Sequence, residues 1–185
     1  MVLLGIDLGT SACKAALYAA DGTLLAAGSA PLAVLRPQPG WAEQEPEAMW
    51  RAACLAIRTA LHTAGVQPAE VHAVCTCGHS PTLILLDEAG RPVRPAMIWQ
   101  DTRAAAEAQA LAEAAGPRWS EVLGTHFPVS PTLAPARLLW LQHHEPAALQ
   151  RARTALEPKD YLHYRLTGAR VSDRWSAKGL VHMAN

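Results

Sequence analysis

The sequence predicts an α/β fold built around a mixed sheet, and three observations carry that reading. Apolar runs and turn residues alternate through the N-terminal segment as they do in an antiparallel meander. A helical apolar period follows from Pro46, and a short β-branched run comes after it, where a crossover lays it parallel to the meander.

The meander comprises apolar runs from Val2 to Ile6, Cys13 to Tyr18 and Thr23 to Ala27. The turn Asp7-Leu8-Gly9-Thr10-Ser11 joins the first two, and Asp21-Gly22, a strong hairpin dipeptide, joins the second pair. Beyond the Pro-rich loop from Pro37 to Gly40, Pro46 suits a first helical turn, and Met49, Ala53, Ile57, Ala60 and Leu61 recur at helical spacing, so a helix is expected from Pro46 to Thr63. Val71 to Cys75 reads as the crossover strand. Thr82 to Leu86 and Met97 to Trp99 read as two more strands about a turn at Glu88-Ala89-Gly90. Ala-rich helix is expected from Thr102 to Ala115, ending at Gly116-Pro117, and again from Leu133 to His144 with Leu138, Leu139 and Leu141 as its apolar stripe. A short strand at Ala155-Leu156 leads to a helix from Lys159 to Leu166, closed by Gly168.

With 185 residues, half of them hydrophobic, the chain suffices for one buried core and reads as one domain over 1–185. Sixteen Lys and Arg balance sixteen Asp and Glu, which leaves no basic footprint for nucleic acid and favours a small-molecule partner. No apolar run approaches a membrane span, and Asp7 interrupts the N-terminal one too early for a signal peptide, so a cytoplasmic protein without a membrane partner is expected. Cys13, Cys54, Cys75 and Cys77 are scattered without a second ligand pair, which argues for reduced, buried thiols rather than a cysteine metal site.

The stretch from Asp7 to Ser11 carries the most chemistry. Gly9 is expected at positive φ, allowing close ligand approach, while the Thr10 and Ser11 hydroxyls and the turn amides suit a phosphate. A carboxylate beside phosphate needs a cation between them, so Asp7 implies Mg2+. Taken alone, the same string also fits an ordinary glycine turn.

Ile6 to Ser11, with Lys14 three positions on, resembles the first phosphate motif of the FGGY carbohydrate kinases. The resemblance continues through Pro39-Gly40-Trp41-Ala42-Glu43-Gln44 and Trp50, Leu85-Leu86-Asp87, Arg94-Pro95-Ala96 and Trp99-Gln100-Asp101-Thr102-Arg103. It extends over Pro158-Lys159-Asp160-Tyr161-Leu162, Thr167-Gly168 and Ser172-Asp173, and is similar in kind to the xylulose kinases. It implies the N-terminal actin-like ATPase (ribonuclease H-like) domain of such a kinase: a mixed five-stranded sheet flanked by helices, with an extra small strand pair. It implies phosphate transfer from ATP, with Mg2+, to a sugar or polyol hydroxyl, a pentulose such as xylulose or a relative. Asp7, Gly9, Thr10, Ser11 and Lys14 would serve the nucleotide, Asp7 the metal. The general-base aspartate, adenosine site and second phosphate loop belong to the family's second domain, absent here, so the isolated chain is expected to be inactive. The uncovered cleft face makes self-association an expectation. The alternative is a non-catalytic sugar- or nucleotide-binding module derived from such a kinase.

Departures from the pattern concern the sugar. Xylulose kinases carry Gln-Met-His after the fourth strand, where this chain has His79-Ser80-Pro81, so His79 and Ser80 become the candidate sugar contacts, with a purely local loop role for His79 left open. Asp101 and Arg103 are candidate hydroxyl-binding groups, or else a helix cap and a solvated side chain. Lys14 fits a phosphate neighbour or a solvated strand edge. Arg137 stands where the family signature expects lysine.

Overall fold

The computed structural model describes residues 1–118, 121, 128–173 and 176. Strands β1 (Val2–Leu8), β2 (Ala12–Ala19) and β3 (Leu24–Pro31) form the antiparallel meander, and after helix α1 (Pro46–Ala64) strand β5 (Val71–Gly78) pairs parallel to β1. The sheet order is β3-β2-β1-β5, a mixed sheet of four strands among the described residues where five are expected. Two small antiparallel pairs accompany it, not one: β4 (Glu43–Gln44) with β7 (Ala96–Met97), and β6 (Ile84–Leu86) with β8 (Thr154–Leu156). Helices α2 (Ala105–Ala115), α3 (Ala134–His144), α4 (Pro146–Arg151) and α5 (Pro158–Thr167) complete the described elements.

Alternation along β1 and β2 divides the sheet. Leu4, Ile6, Leu8, Cys13, Ala15 and Leu17 point to α1, which meets them with Met49, Ala52, Ala53, Ala56 and Ala60. The small helical residues bring α1 very close. At Gly28 of β3 a Cβ would lie 2.2 Å from the Ala56 carbonyl oxygen, so only glycine fits there. A second apolar cluster joins Leu83, Leu85 and Met97 to Ala104 and Ala108, and to Ala136, Trp140 and Leu141 of α3. The buried face of α3 is therefore Pro135, Ala136, Arg137, Trp140 and Leu141; of the expected stripe Leu141 is buried, Leu138 is half-buried against the cluster, and Leu139 is not part of that face.

Two further expectations change. Helix α2 begins at Ala105, three residues late, and Asp101 turns inward ahead of it, its carboxylate taking the Ala42 and Arg103 N–H groups. Cys13 is buried and all four thiols are free, but Cys75 and Cys77 are exposed. Their strand registers Gly5 with Cys75 and Asp7 with Cys77, which puts both sulfurs on the face away from α1, and no described element covers that face. Among the described residues no helix is long and apolar enough to cross a membrane.

Candidate active site

The parallel strands β1 and β5 end side by side, and the turns that follow them form the site. Asp7 is exposed at the end of β1, flanked across the ladder by Lys14 of β2 and Cys77 of β5. The Cys77 thiol donates to Asp7 Oδ1 at 3.4 Å. Burial, then this carboxylate, push that thiol's pKa up, so it stays a neutral donor beside the charge. One exposed carboxylate suits Mg2+, which keeps most of its water and takes its other ligands from phosphate oxygens. Among the described residues no three His, Cys, Asp or Glu side chains gather into a metal cage.

Gly9 does not adopt positive φ. Its requirement is steric: a Cβ would sit 2.9 Å from the Ala12 carbonyl oxygen, the acceptor of the Gly9 N–H at 3.1 Å. Thr10 is tied in twice, its carbonyl accepting from Gln44 Nε2 at 2.7 Å and its hydroxyl from Trp99 Nε1 at 2.9 Å. Ser11 is exposed at the tip, and its carbonyl accepts from the Leu32 N–H.

The loop after β5 is bonded directly to this turn, since the His79 N–H donates to the Leu8 carbonyl at 3.0 Å. On the His79 ring, Nδ1 shares a hydrogen with Thr82 Oγ1 at 2.9 Å, while Nε2 is buried without a partner. Burial lowers the ring's pKa to about 4 against the opposing pull of Asp7, so the imidazole is neutral near pH 7 with one buried nitrogen unpaired. Ser80 is exposed, and its hydroxyl donates to Glu157 Oε1 at 3.2 Å. Glu157 Oε2 accepts the Thr82 N–H at 2.8 Å. Burial pushes the Glu157 carboxyl up to about 7, although both hydrogen bonds and Arg137 favour its charge.

Asp101 and Arg103 are corrections. Each side chain is 1% exposed, and they face one another at 2.6 Å inside the fold rather than reaching a ligand. Asp101 accepts the Ala42 N–H at 2.7 Å, and Arg103 also pairs with Glu43 at 2.8 Å while lying over the Trp41 ring at 3.6 Å. Glu43 in turn holds Arg94 at 2.6 Å. Arg137 runs beneath the loop after β5, donating to the carbonyls of Met97, Ile98 and Pro81 at 2.9, 2.5 and 3.3 Å. This buried network clamps the 41–44 and 97–103 segments behind the site.

The structure thus brings Asp7, Gly9, Thr10, Ser11, Lys14, His79 and Ser80 to one end of the sheet and withdraws Asp101 and Arg103 into its support. Sequence reasoning missed two residues. Trp99 is 44% exposed with its indole N–H on Thr10, an apolar plate beside the turn. Its signal was its place two residues before Asp101 in the same motif. Glu157 stands directly before Pro158, where a helix start invites an acidic residue, and that bland explanation hid it.

The profile of the FGGY family of carbohydrate kinases, N-terminal domain, matches residues 2–184. Xylulose kinase of Escherichia coli strain K12 is 38% identical over 176 residues, covering 95% of this chain and 35% of that protein. Xylulose kinase of Streptomyces rubiginosus is 35% identical over 96% of this chain and 36% of its own length. Among solved structures, xylulose kinase from Rhodospirillum rubrum superposes with a TM-score of 0.87 at 30% identity, over 96% of this chain and 36% of that one. The chain therefore spans about a third of the length of the relatives it matches. With that profile matching nearly the whole chain and relatives of this kind above 30% identity, the chain belongs to the FGGY family of carbohydrate kinases.

Proposed function

We propose that this chain is the N-terminal half of an ATP-dependent carbohydrate kinase that transfers the γ-phosphate of ATP to a hydroxyl of a pentulose such as xylulose, or of a related polyol. The observation that carries the reading is the direct bonding of the Asp7–Ser11 turn to two flanking groups, the His79 loop through Leu8 and the Trp99 indole through Thr10. Phosphoryl transfer rests on holding two reactants in line, and a rigid link between a phosphate turn and a hydroxyl-binding loop supplies that. Asp7 would hold Mg2+, with Gly9, Thr10, Ser11 and Lys14 around the phosphates. His79 Nε2 and the Ser80 hydroxyl would meet the sugar, with the Trp99 face against its carbon skeleton. The names of the relatives support a pentulose. Catalysis would draw on a second half of the cleft with its general base, so the chain tested by itself would not turn over.

Melting of the chain with pentuloses, hexuloses and polyols, each with and without MgATP, tests the binding half of the reading. A pentulose should raise Tm, MgATP should add to it, and Asp7→Asn should abolish the MgATP increment while leaving the sugar increment. Phosphate transfer by the chain joined to an FGGY C-terminal half tests the rest. Silence in both experiments overturns the proposal; sugar binding without transfer favours the non-catalytic module.

A further inference from the structure

We infer that Glu157 is a positioning residue that sets the shape of the sugar-facing loop from His79 to Thr82 and thereby the choice of sugar. The inference rests on the kinase reading for the identity of the ligand, and on geometry alone for the loop contact.

Pro81 has no N–H to donate, so this loop cannot be fixed through that position's amide. One carboxylate holds it instead. Glu157 Oε2 takes the Thr82 N–H at 2.8 Å and Oε1 takes the Ser80 hydroxyl at 3.2 Å, so the residues on both sides of Pro81 hang from one side chain of another element. Thr82 carries the restraint onward, since its hydroxyl meets His79 Nδ1 at 2.9 Å and so fixes the ring whose Nε2 is buried and unpartnered. A shift of the carboxylate therefore moves both groups proposed to meet the sugar. A pocket of about 50 Å3 lies behind the loop, lined by Thr82, Thr132, Arg137, Glu157 and Ser172 among others, and from its side Arg137 also donates to the Pro81 carbonyl at 3.3 Å.

The charged and titratable groups facing Glu157 come from three elements. Arg137 of α3 attracts its charge, Asp160 of α5 opposes it, and His79 on the loop is neutral. Lys159, next in the chain but one, is occupied by Asp160 and Asp173. The balance leaves the Glu157 carboxyl at about 7, so its grip weakens as pH falls through neutrality. A plain helix-start role for Glu157, whose N–H donates to Asp160 Oδ2 at 3.3 Å, would affect stability and leave the preference for sugar over nucleotide alone.

The test has two arms. In this chain the Thr82 amide proton is followed by NMR from roughly pH 5 to 9, expected to titrate with a midpoint near the carboxyl's own and to stop titrating in Glu157→Gln. In the enzyme completed by a C-terminal half, Glu157→Gln should raise KM for the pentulose about tenfold, the scale of one charge-assisted hydrogen bond. KM for MgATP should stay within about twofold, and the rise in sugar KM below neutral pH should disappear. Should Glu157→Gln lose its dispersed amide spectrum, Glu157→Asp, which keeps the charge and shortens the reach, should show the same KM split. A Thr82 amide that does not titrate in the unaltered chain overturns the inference, as does a variant that raises both KM values equally or neither. If the completed enzyme transfers no phosphate, the kinase reading fails and the sugar-choice part with it, while the amide still decides the loop contact.

Discussion

Glu157 sets a local conflict between holding a loop and staying folded. Its folded pKa, about 7, lies above the 4.5 of an ordinary glutamate, so between those values the native state keeps a proton that the unfolded chain releases. The contribution to stability is fully present below the unfolded value and is lost as pH rises through the folded one. Each tenfold difference in proton affinity between the two states is worth about 1.4 kcal/mol, so the contribution amounts to at most about 3 kcal/mol. Urea unfolding across that window should therefore show the unaltered chain losing stability relative to Glu157→Gln as pH rises; parallel curves would refute the assignment. The Asp7–Ser11 turn stood out in the sequence because Asp, Gly and two hydroxyls lie between two apolar strands and head an ordered series of motifs, whereas the string alone also fits an ordinary glycine turn. The placement of Asp101 and Arg103 was not legible, because nothing in a one-dimensional string says whether a charged pair two residues apart points into a cleft or into the core. Here Glu43 and the Ala42 N–H, far back in the chain, decide it.

At the scale of elements, α1 lies very close on β3, with the Gly28 hydrogen facing the Ala56 carbonyl and the Thr59 and Ala60 positions close by. Gly28→Ala must push the helix from the sheet or bend β3, at a cost of about 2–4 kcal/mol by the scale of overpacked cores, and thermal melting should show it. A change near zero would mean the helix rides more loosely than the geometry states. Helix α1 was read almost residue for residue because its period and its Pro46 start agree, and the structure ends it on Gly65 at φ 67° in the left-handed region. The small pairs β4–β7 and β6–β8 were read less well. Two- and three-residue strands have too few positions to show a period, and their partners lie dozens of residues away. Burial of β5 was misjudged for a related reason, since an apolar strand is read as covered on both faces and the sequence does not say by what.

Across the whole molecule, one sheet face is packed by α1 while the other opens into a hollow of about 540 Å3 lined by Gly5, Ala16, Tyr18, Ala27 and Cys75, reaching Asp7 at its end. The expectation that the chain associates with itself through an uncovered face of the cleft can be tested at this surface. Sedimentation velocity over a concentration series should show a monomer–dimer shift that Ala16→Glu abolishes; a monomer at every concentration would sink the idea.

The bond from the Trp99 indole to the Thr10 hydroxyl also gives the molecule an optical handle on its own phosphate turn. Trp41 and Trp140 stack edge to face at 5.4 Å in the second apolar cluster, away from that turn, whereas Trp99 stands 44% open to water with its one polar atom on Thr10. Whatever draws the Thr10 hydroxyl toward a ligand must release or retune that indole, so the emission lost in Trp99→Phe isolates a signal from the nucleotide end of the cleft without any attached dye.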